Sequence, residues 1–307
     1  MMYDKRFADV RQQRWGIDLG GTKIEGVIIN EEHPGQALYR LRLPTEQAFG
    51  YNHILAQVQL LVEQLEQASG LIRPKCIGIG TPGVIDPSTG VLKNSNTLCL
   101  NGRPVREDLT SVLGAQVHLA NDANCFALAE ATQGAARHAK VVMGLILGTG
   151  VGGGIIVQGH LIEGLHGIAG EWGHNTMRSE EAPCYCGKKG CNETVFSGPA
   201  LERFYQEKTD NTVRLTEIIQ RAVSGEEAAK ETITRLQEKF AEAIAVPINI
   251  LDPEAIVIGG GVGNCEILYT EETRQKIIPY IFNKELKTQF LKPTLGDSAG
   301  VFGAAML

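Results

Sequence analysis

The sequence predicts an α/β protein made of two related domains that face each other across a cleft. Three observations carry this. A strand, a glycine turn and a returning strand occur twice, at Gly20 and at Gly148, 128 residues apart. That spacing is one domain length, and 307 residues allow about two domains of ~150 residues each. Short apolar strands alternate with helical stretches along the chain, as layered α/β domains require.

After a polar lead of fourteen residues, Trp15-Gly16-Ile17-Asp18-Leu19 reads as the first strand. Gly20-Gly21-Thr22-Lys23 turns it into a second, Ile24 to Ile29. Leu38 to Leu43 is a third, stopped by Pro44. Ile54, Leu55, Val58, Leu61, Val62 and Leu65 recur at helical spacing and predict an amphipathic helix. Cys76 to Gly80 is a short buried strand ending at Thr81-Pro82-Gly83. The pattern then restarts. Val117 to Ala120 is a strand, and Asn121-Asp122-Ala123-Asn124 opens a helix rich in Ala and Leu. Val141 to Leu147 is a strand broken by the glycines from Gly148 to Gly154, with another strand at Ile155 to Val157. Leu215 to Ile250 reads as helix that Pro247 kinks or divides. Ala255 to Ile258 is a last buried strand, ending in Gly259-Gly260-Gly261.

Composition removes several classes of function. With 29 basic and 35 acidic residues the net charge is −6, which argues against a general binder of nucleic acid or acidic membranes. No apolar run approaches the ~18 residues of a membrane-spanning helix, and the charged N-terminus has no apolar core of a signal peptide. A cytoplasmic, reducing location is therefore expected. Seven cysteines in such a place point to metal or catalysis rather than disulfides. Cys76, Cys99, Cys125 and Cys265 lie among apolar neighbours and read as small buried hydrophobes. The other three, Cys184, Cys186 and Cys191, fall within eight residues of each other.

Glycine is in excess, 36 residues against an average usage of ~7%, and it is clustered. Consecutive glycines at a strand end let backbone N–H groups approach an anion; a ligand-free hairpin is the plain alternative for any single cluster. Gly148-x-Gly150-x-x-Gly153 and Gly78-x-Gly80-x-x-Gly83 match a dinucleotide fingerprint in spacing, but neither opens a helix, so a Rossmann site is excluded. No GxxxxGK[ST] run exists, which excludes a P-loop. A strand-turn-strand phosphate hairpin remains. Asp18 precedes the first turn, either capping it or orienting Mg²⁺ on a polyphosphate. Lys23 is either a phosphate contact or a solvated lysine. Asn121-Asp122 sits at a strand-to-helix junction, where one residue can cap the helix while its neighbour reaches a substrate.

Cys184-Tyr-Cys186-Gly-Lys-Lys-Gly-Cys191 is the sharpest local signal. Gly187 and Gly190 supply turns that let the thiols converge, and Zn²⁺ takes four tetrahedral N/S ligands. His174, ten residues upstream, is the best fourth ligand. A site closed by four ligands has no open position for water, so a structural metal is expected.

These residues resemble the ROK (repressor, open reading frame, kinase) family of sugar kinases. Asp18-Leu19-Gly20-Gly21-Thr22-Lys23 is similar to the family's first phosphate motif. Leu147-Gly148-Thr149-Gly150-Val151-Gly152-Gly153-Gly154 is similar to the second, and Ile258-Gly259-Gly260-Gly261 to the adenosine motif. The likeness runs from about Trp15 to the Gly296–Ala305 segment. It implies two actin-like (RNase H-like, hexokinase-type) domains with an interdomain cleft, residues 1–119 with 296–307 forming a small domain and 120–295 a large one with the zinc loop. It implies ATP and Mg²⁺ at the glycine motifs and structural Zn²⁺ on His174, Cys184, Cys186 and Cys191. Asp122 is then the catalytic base, and Asn121, Glu171, His174, Glu193, Gly83 and, more weakly, Asn96 meet sugar hydroxyls.

The segments Val91–Asn96, Leu100–Pro104, Gly170–Asn175 and Pro183–Cys191 look most like bacterial fructokinases with mannokinase activity. ATP-dependent phosphorylation of fructose, with mannose as a further acceptor, is the first expectation; an N-acetylglucosamine kinase or glucokinase of the same family is the second. A sugar-responsive repressor is disfavoured, because fourteen residues before Trp15 are too few for a winged helix-turn-helix. The family implies a homodimer, while the net charge of −6 leads us to expect no nucleic-acid or membrane partner.

Overall fold

A computed structural model describes residues 13–307. Most of the polar lead, with the reading that it holds no signal peptide, lies outside the described residues. The chain divides into two compact units: the first runs to Gly134 and adds Leu161–Ala169 and Leu295–Leu307, and the second holds Ala135–His160 and Gly170–Thr294.

In the first unit, β1 (Gln13–Leu19) and β2 (Lys23–Asn30) form the expected antiparallel hairpin, and β3 (His33–Pro44) extends it. α1 (Tyr51–Ser69) follows and buries all six apolar residues of its predicted stripe. β4 (Cys76–Thr81) then pairs parallel to β1. A two-residue hairpin, β5 (Val84–Ile85) and β6 (Leu92–Lys93), and α2 (Val105–Leu113) lead to β7 (Gln116–Asn121), parallel to β4. The sheet order is β3-β2-β1-β4-β7. α3 (Asp122–Thr132) leaves directly from β7.

The second unit repeats this plan. β8 (Val141–Leu147) and β9 (Val151–Val157) form an antiparallel hairpin, β10 (His160–Leu161) lies beyond it, and β11 (Ala255–Gly259) and β12 (Gln289–Leu291) add in parallel. The order β10-β9-β8-β11-β12 matches the first sheet strand for strand, so the duplication expected from the glycine turns is present in topology. α4 (Glu193–Phe196), α5 (Gly198–Thr209), α6 (Leu215–Val223), α7 (Glu227–Leu251) and α8 (Glu271–Ile277) complete the unit. No helix among the described residues is long and apolar enough to cross a membrane.

Four local expectations change. α3 belongs to the first unit, whereas a boundary at 119/120 puts it in the second. The C-terminal helix Ala299–Ala304 packs on α3 so closely that a Cβ at Gly303 would overlap the Cys125 carbonyl. The helical run from Leu215 divides at Ser224-Gly225-Glu226, while Pro247 lies inside an unbroken α7. Pro247 cannot donate to the Ala243 carbonyl, but the Trp172 indole Nε1–H donates to that oxygen instead, at 3.2 Å. The orphaned acceptor is satisfied from outside the helix. Gly152, Gly153 and Gly154 are strand rather than turn, since β9 begins at Val151. Cys76 is exposed at the open end of β4 and Cys99 is only partly buried; Cys125 and Cys265 are buried as expected.

Candidate functional site

In the first unit the candidate residues gather at the ends of β1, β4 and β7. The β1–β2 turn closes when Gly20 N–H donates to Lys23 O (3.0 Å), and buried Thr45 straps it by donating its hydroxyl to Gly20 O (2.6 Å). Gly21 is partly buried, and Thr22 and Lys23 are exposed at the tip. Lys23 Nζ lies 3.7 Å from Glu25, a buried carboxylate also paired with Arg40 and Arg42. Burial pushes the Glu25 carboxyl up, but the two guanidinium groups hold it below its usual range.

Asn121 caps α3: its Oδ1 accepts the Ala123 N–H at 2.9 Å while its Nδ2 donates to Gly83 O at 3.3 Å. The cap ties the Pro82-Gly83 turn to the helix start. Asp122 also accepts the Ala123 N–H, at 2.8 Å, from the first turn, where the helix dipole favours a carboxylate. The capping half of the expected division of labour is present, and both side chains share it. Asn96 is exposed in a loop that Asn101 pins through two hydrogen bonds to Ser95.

Asp18 and Asp122 feel each other. Burial first, then the Asp122 charge, pushes the Asp18 carboxyl up to about 6, and burial also raises Asp122. A carboxyl raised above its unfolded value costs stability once pH exceeds that unfolded value. Asp18→Asn is thus expected to stabilise the ligand-free protein at pH 7, by on the order of 2 kcal/mol, and to leave it unchanged at pH 3, where both states are protonated. Thermal melts at the two pH values check this; equal midpoints at pH 7 would refute it.

In the second unit the β8–β9 turn carries Gly148, exposed Thr149 and Gly150. Gly148 O accepts from Gly198 N–H (2.8 Å), and the Glu193 carboxylate accepts Val151 N–H (2.9 Å). Glu193, expected against sugar, is thus also attached to the glycine hairpin. Gly259 ends β11, and Gly260 and Gly261 turn away from it. Gly261 has no atom within 4 Å of where a side chain would stand, so the space beside its backbone is open.

Glu171 and His174 sit on a short segment clamped to β9. Gly153 and Gly170 pack backbone to backbone, where neither tolerates a side chain. Buried Asn192 donates to Trp172 O at 2.9 Å. The Trp172 ring stacks on Phe196, and its indole reaches Ala243.

His174, Cys184, Cys186 and Cys191 converge, with their ligand atoms all within 4.8 Å of one another. His174 Nδ1 is 3.7 Å from Cys184 Sγ, and Cys186 Sγ is 3.5 Å from Cys191 Sγ. A tetrahedron with ~2.3 Å metal–sulfur bonds has edges of ~3.8 Å, so the donor set fits Zn²⁺. Gly187 and Gly190 have φ of 87° and 69° and make the turns. Glu180, paired with Arg235 (2.6 Å) and Lys239 (3.1 Å), ties the loop to α7. The thiols also need a cation to ionise together. Burial and the neighbouring thiols push Cys191 up to about 12, whereas at Cys186 burial is outweighed, chiefly by the Lys188 N–H, and the thiol falls below its usual value.

Two residues were not legible as contributors. Trp172 anchors the Glu171–His174 segment through a partner 71 residues away. Tyr185 stands between two cysteines of the loop, and its hydroxyl lies 3.1 Å from His174 Nε2.

Comparison with known proteins agrees with this arrangement. The sequence profile of the ROK family matches residues 14–307. An N-acetyl-D-glucosamine kinase of Photobacterium profundum is 36% identical over 303 residues, 95% of this chain and 98% of the relative. A ROK hexokinase from Thermus thermophilus superposes with a TM-score of 0.82 at 30% identity, covering 96% of this chain and 97% of that one. A ROK glucokinase from Streptomyces griseus, solved with glucose and AMPPNP, gives 0.77 at 26%, covering 96% and 98%. The two-unit α/β architecture is thus the actin-like one of the ROK hexokinases, and the chain belongs to the ROK family.

Proposed function

We propose that this chain is an ATP-dependent sugar kinase whose acceptor is N-acetyl-D-glucosamine. The observation that carries the acceptor is the 36% identity, over nearly the whole chain, to a kinase of that sugar. This reverses the order reached from sequence, where fructose stands first. The loop motifs quoted above keep fructose and mannose as the second reading. The dimer and the cytoplasmic location belong to the same proposal.

In this reading MgATP supplies the γ-phosphoryl group, held through Asp18, Gly20, Gly21, Thr22 and Lys23, and through Gly148, Thr149, Gly150, Gly152 and Gly153. Gly259, Gly260 and Gly261 receive the adenosine. Asn121, Glu171, His174 and Glu193 orient the sugar, with Gly83 and Asn96 beside it. The Asp122 carboxylate accepts the proton of the attacking hydroxyl as its oxygen bonds to phosphorus and ADP departs. Asp122 suits this role because it projects from a capped helix start and its raised pKa makes it a better base. Zn²⁺ on Nδ1 of His174 would leave Nε2 for the polar groups facing it, so that the metal fixes the ring as outer-sphere partners do.

ADP release measured with N-acetylglucosamine, fructose, mannose and glucose separates the readings. The highest kcat/KM is expected for N-acetylglucosamine. A preference for fructose or mannose establishes the second reading, and no ADP release with any of the four overturns the kinase proposal.

A further inference from the structure

We propose that Tyr185 is a sugar-contacting residue that donates a hydrogen bond to the acceptor and helps select it. This rests on the kinase reading above. His174 turns Nδ1 toward Cys184 Sγ, at 3.7 Å, and Nε2 toward the Tyr185 hydroxyl, at 3.1 Å, with the two rings edge to face. A neutral imidazole that gives Nδ1 to a metal carries its proton on Nε2. Nε2–H therefore donates to the phenol oxygen, and the Tyr185 O–H is left to donate elsewhere.

Its surroundings say where. Glu171 lies 4.0 Å from the same Nε2, and the charges of Glu193 and Glu171 both act on the phenol. The hydroxyl thus stands among three of the side chains assigned to sugar, His174, Glu171 and Glu193. Both carboxylates can only accept hydrogen bonds, and the His174 donor is already engaged by Tyr185. A sugar also presents acceptor oxygens, and the phenol O–H is the donor this group offers them. Stability does not account for the residue's position, since Tyr185 is 77% exposed and buries little apolar surface in any core. A donor bound to a fixed imidazole is oriented before the sugar arrives, which lowers the ordering cost of binding.

Tyr185→Phe removes the hydroxyl and keeps the ring against His174. The readouts are sugar affinity by calorimetry without nucleotide, steady-state kinetics, and zinc content by mass spectrometry, using N-acetylglucosamine, fructose and mannose. The expected result is a sugar Kd and KM raised about 3–10-fold, the effect of one lost hydrogen bond. The same result includes kcat and the KM for ATP within twofold of the parent and one zinc per chain, the pattern of lost uniform binding. A sugar Kd within twofold of the parent with zinc retained overturns the proposal, and so does loss of zinc, which would make the contact structural. A parent protein that binds and phosphorylates none of the sugars defeats the kinase reading instead, and this proposal with it.

Discussion

Asp122→Asn is expected to lower kcat by about 10²–10⁴-fold, the usual contribution of a positioned general base and about 3–5 kcal/mol of barrier. The change is local because the junction is doubly secured. Asn121 still caps α3 through the Ala123 N–H, and an amide at position 122 still offers an oxygen to that donor. Sugar KM should therefore stay close to that of the parent, and the melting temperature at pH 7 should not fall, because the variant removes a carboxylate whose ionisation burial opposes. The pH profile adds a second criterion. Burial raises the pKa of Asp122, and the group must be ionised to accept a proton, so parent activity falls on the acid side at a higher pH than an ordinary carboxylate would dictate. The residual activity of the variant should lose that dependence. Turnover above a tenth of the parent's would remove Asp122 from the role of base.

Cys186→Ser is expected to release the metal and to weaken both the fold and sugar binding. Cys186 is exposed, so the substitution leaves no cavity and its effect reports the metal alone. Loss of a bound structural metal is among the few changes that cost on the order of 4 kcal/mol. For a unit of this size that corresponds to a fall of ~8–16 °C in melting temperature. His174, no longer held at Nδ1, should lose its orientation toward Tyr185, and the sugar KM should rise with the KM for ATP little changed. Elemental analysis, calorimetric melts and kinetics on one preparation test this. A variant that keeps one zinc per chain would discredit the ligand set.

Much of this molecule was legible in one dimension. Hairpins that turn on consecutive glycines announce themselves, and the stripe from Ile54 to Leu65 has one satisfactory solution, a helix lying on a sheet. The convergence of His174, Cys184, Cys186 and Cys191 was readable because three of them share a loop of eight residues. The features missed depend on partners distant in sequence. Pro247 reads as a point where the helix kinks or divides; the helix does not divide there, and the Trp172 indole takes the carbonyl that the proline orphans. Gly152 to Gly154 read as a turn, and the close approach of the Gly170 backbone that Gly153 admits is revealed by no local pattern. Tyr185 stands between two cysteines, and only the folded loop brings its hydroxyl to His174 Nε2. Acceptor preference was the least legible property: the loops that resemble fructokinases belong to a chain whose curated relatives include an N-acetylglucosamine kinase.

The hydrogen bond between Trp172 and Ala243 also has a spectroscopic consequence. The chain contains two tryptophans, Trp15 buried on β1 in the first unit and Trp172 buried in the second. Trp172 adjoins Glu171 and lies two residues from His174, with its indole N–H fixed on a helix carbonyl and its ring stacked at 5.3 Å on Phe196. Replacing Trp15 by Phe would leave a single fluorophore whose emission follows the unit with the cysteine loop alone, and replacing Trp172 would leave one that follows the other. The protein carries its own pair of optical labels, one for each half.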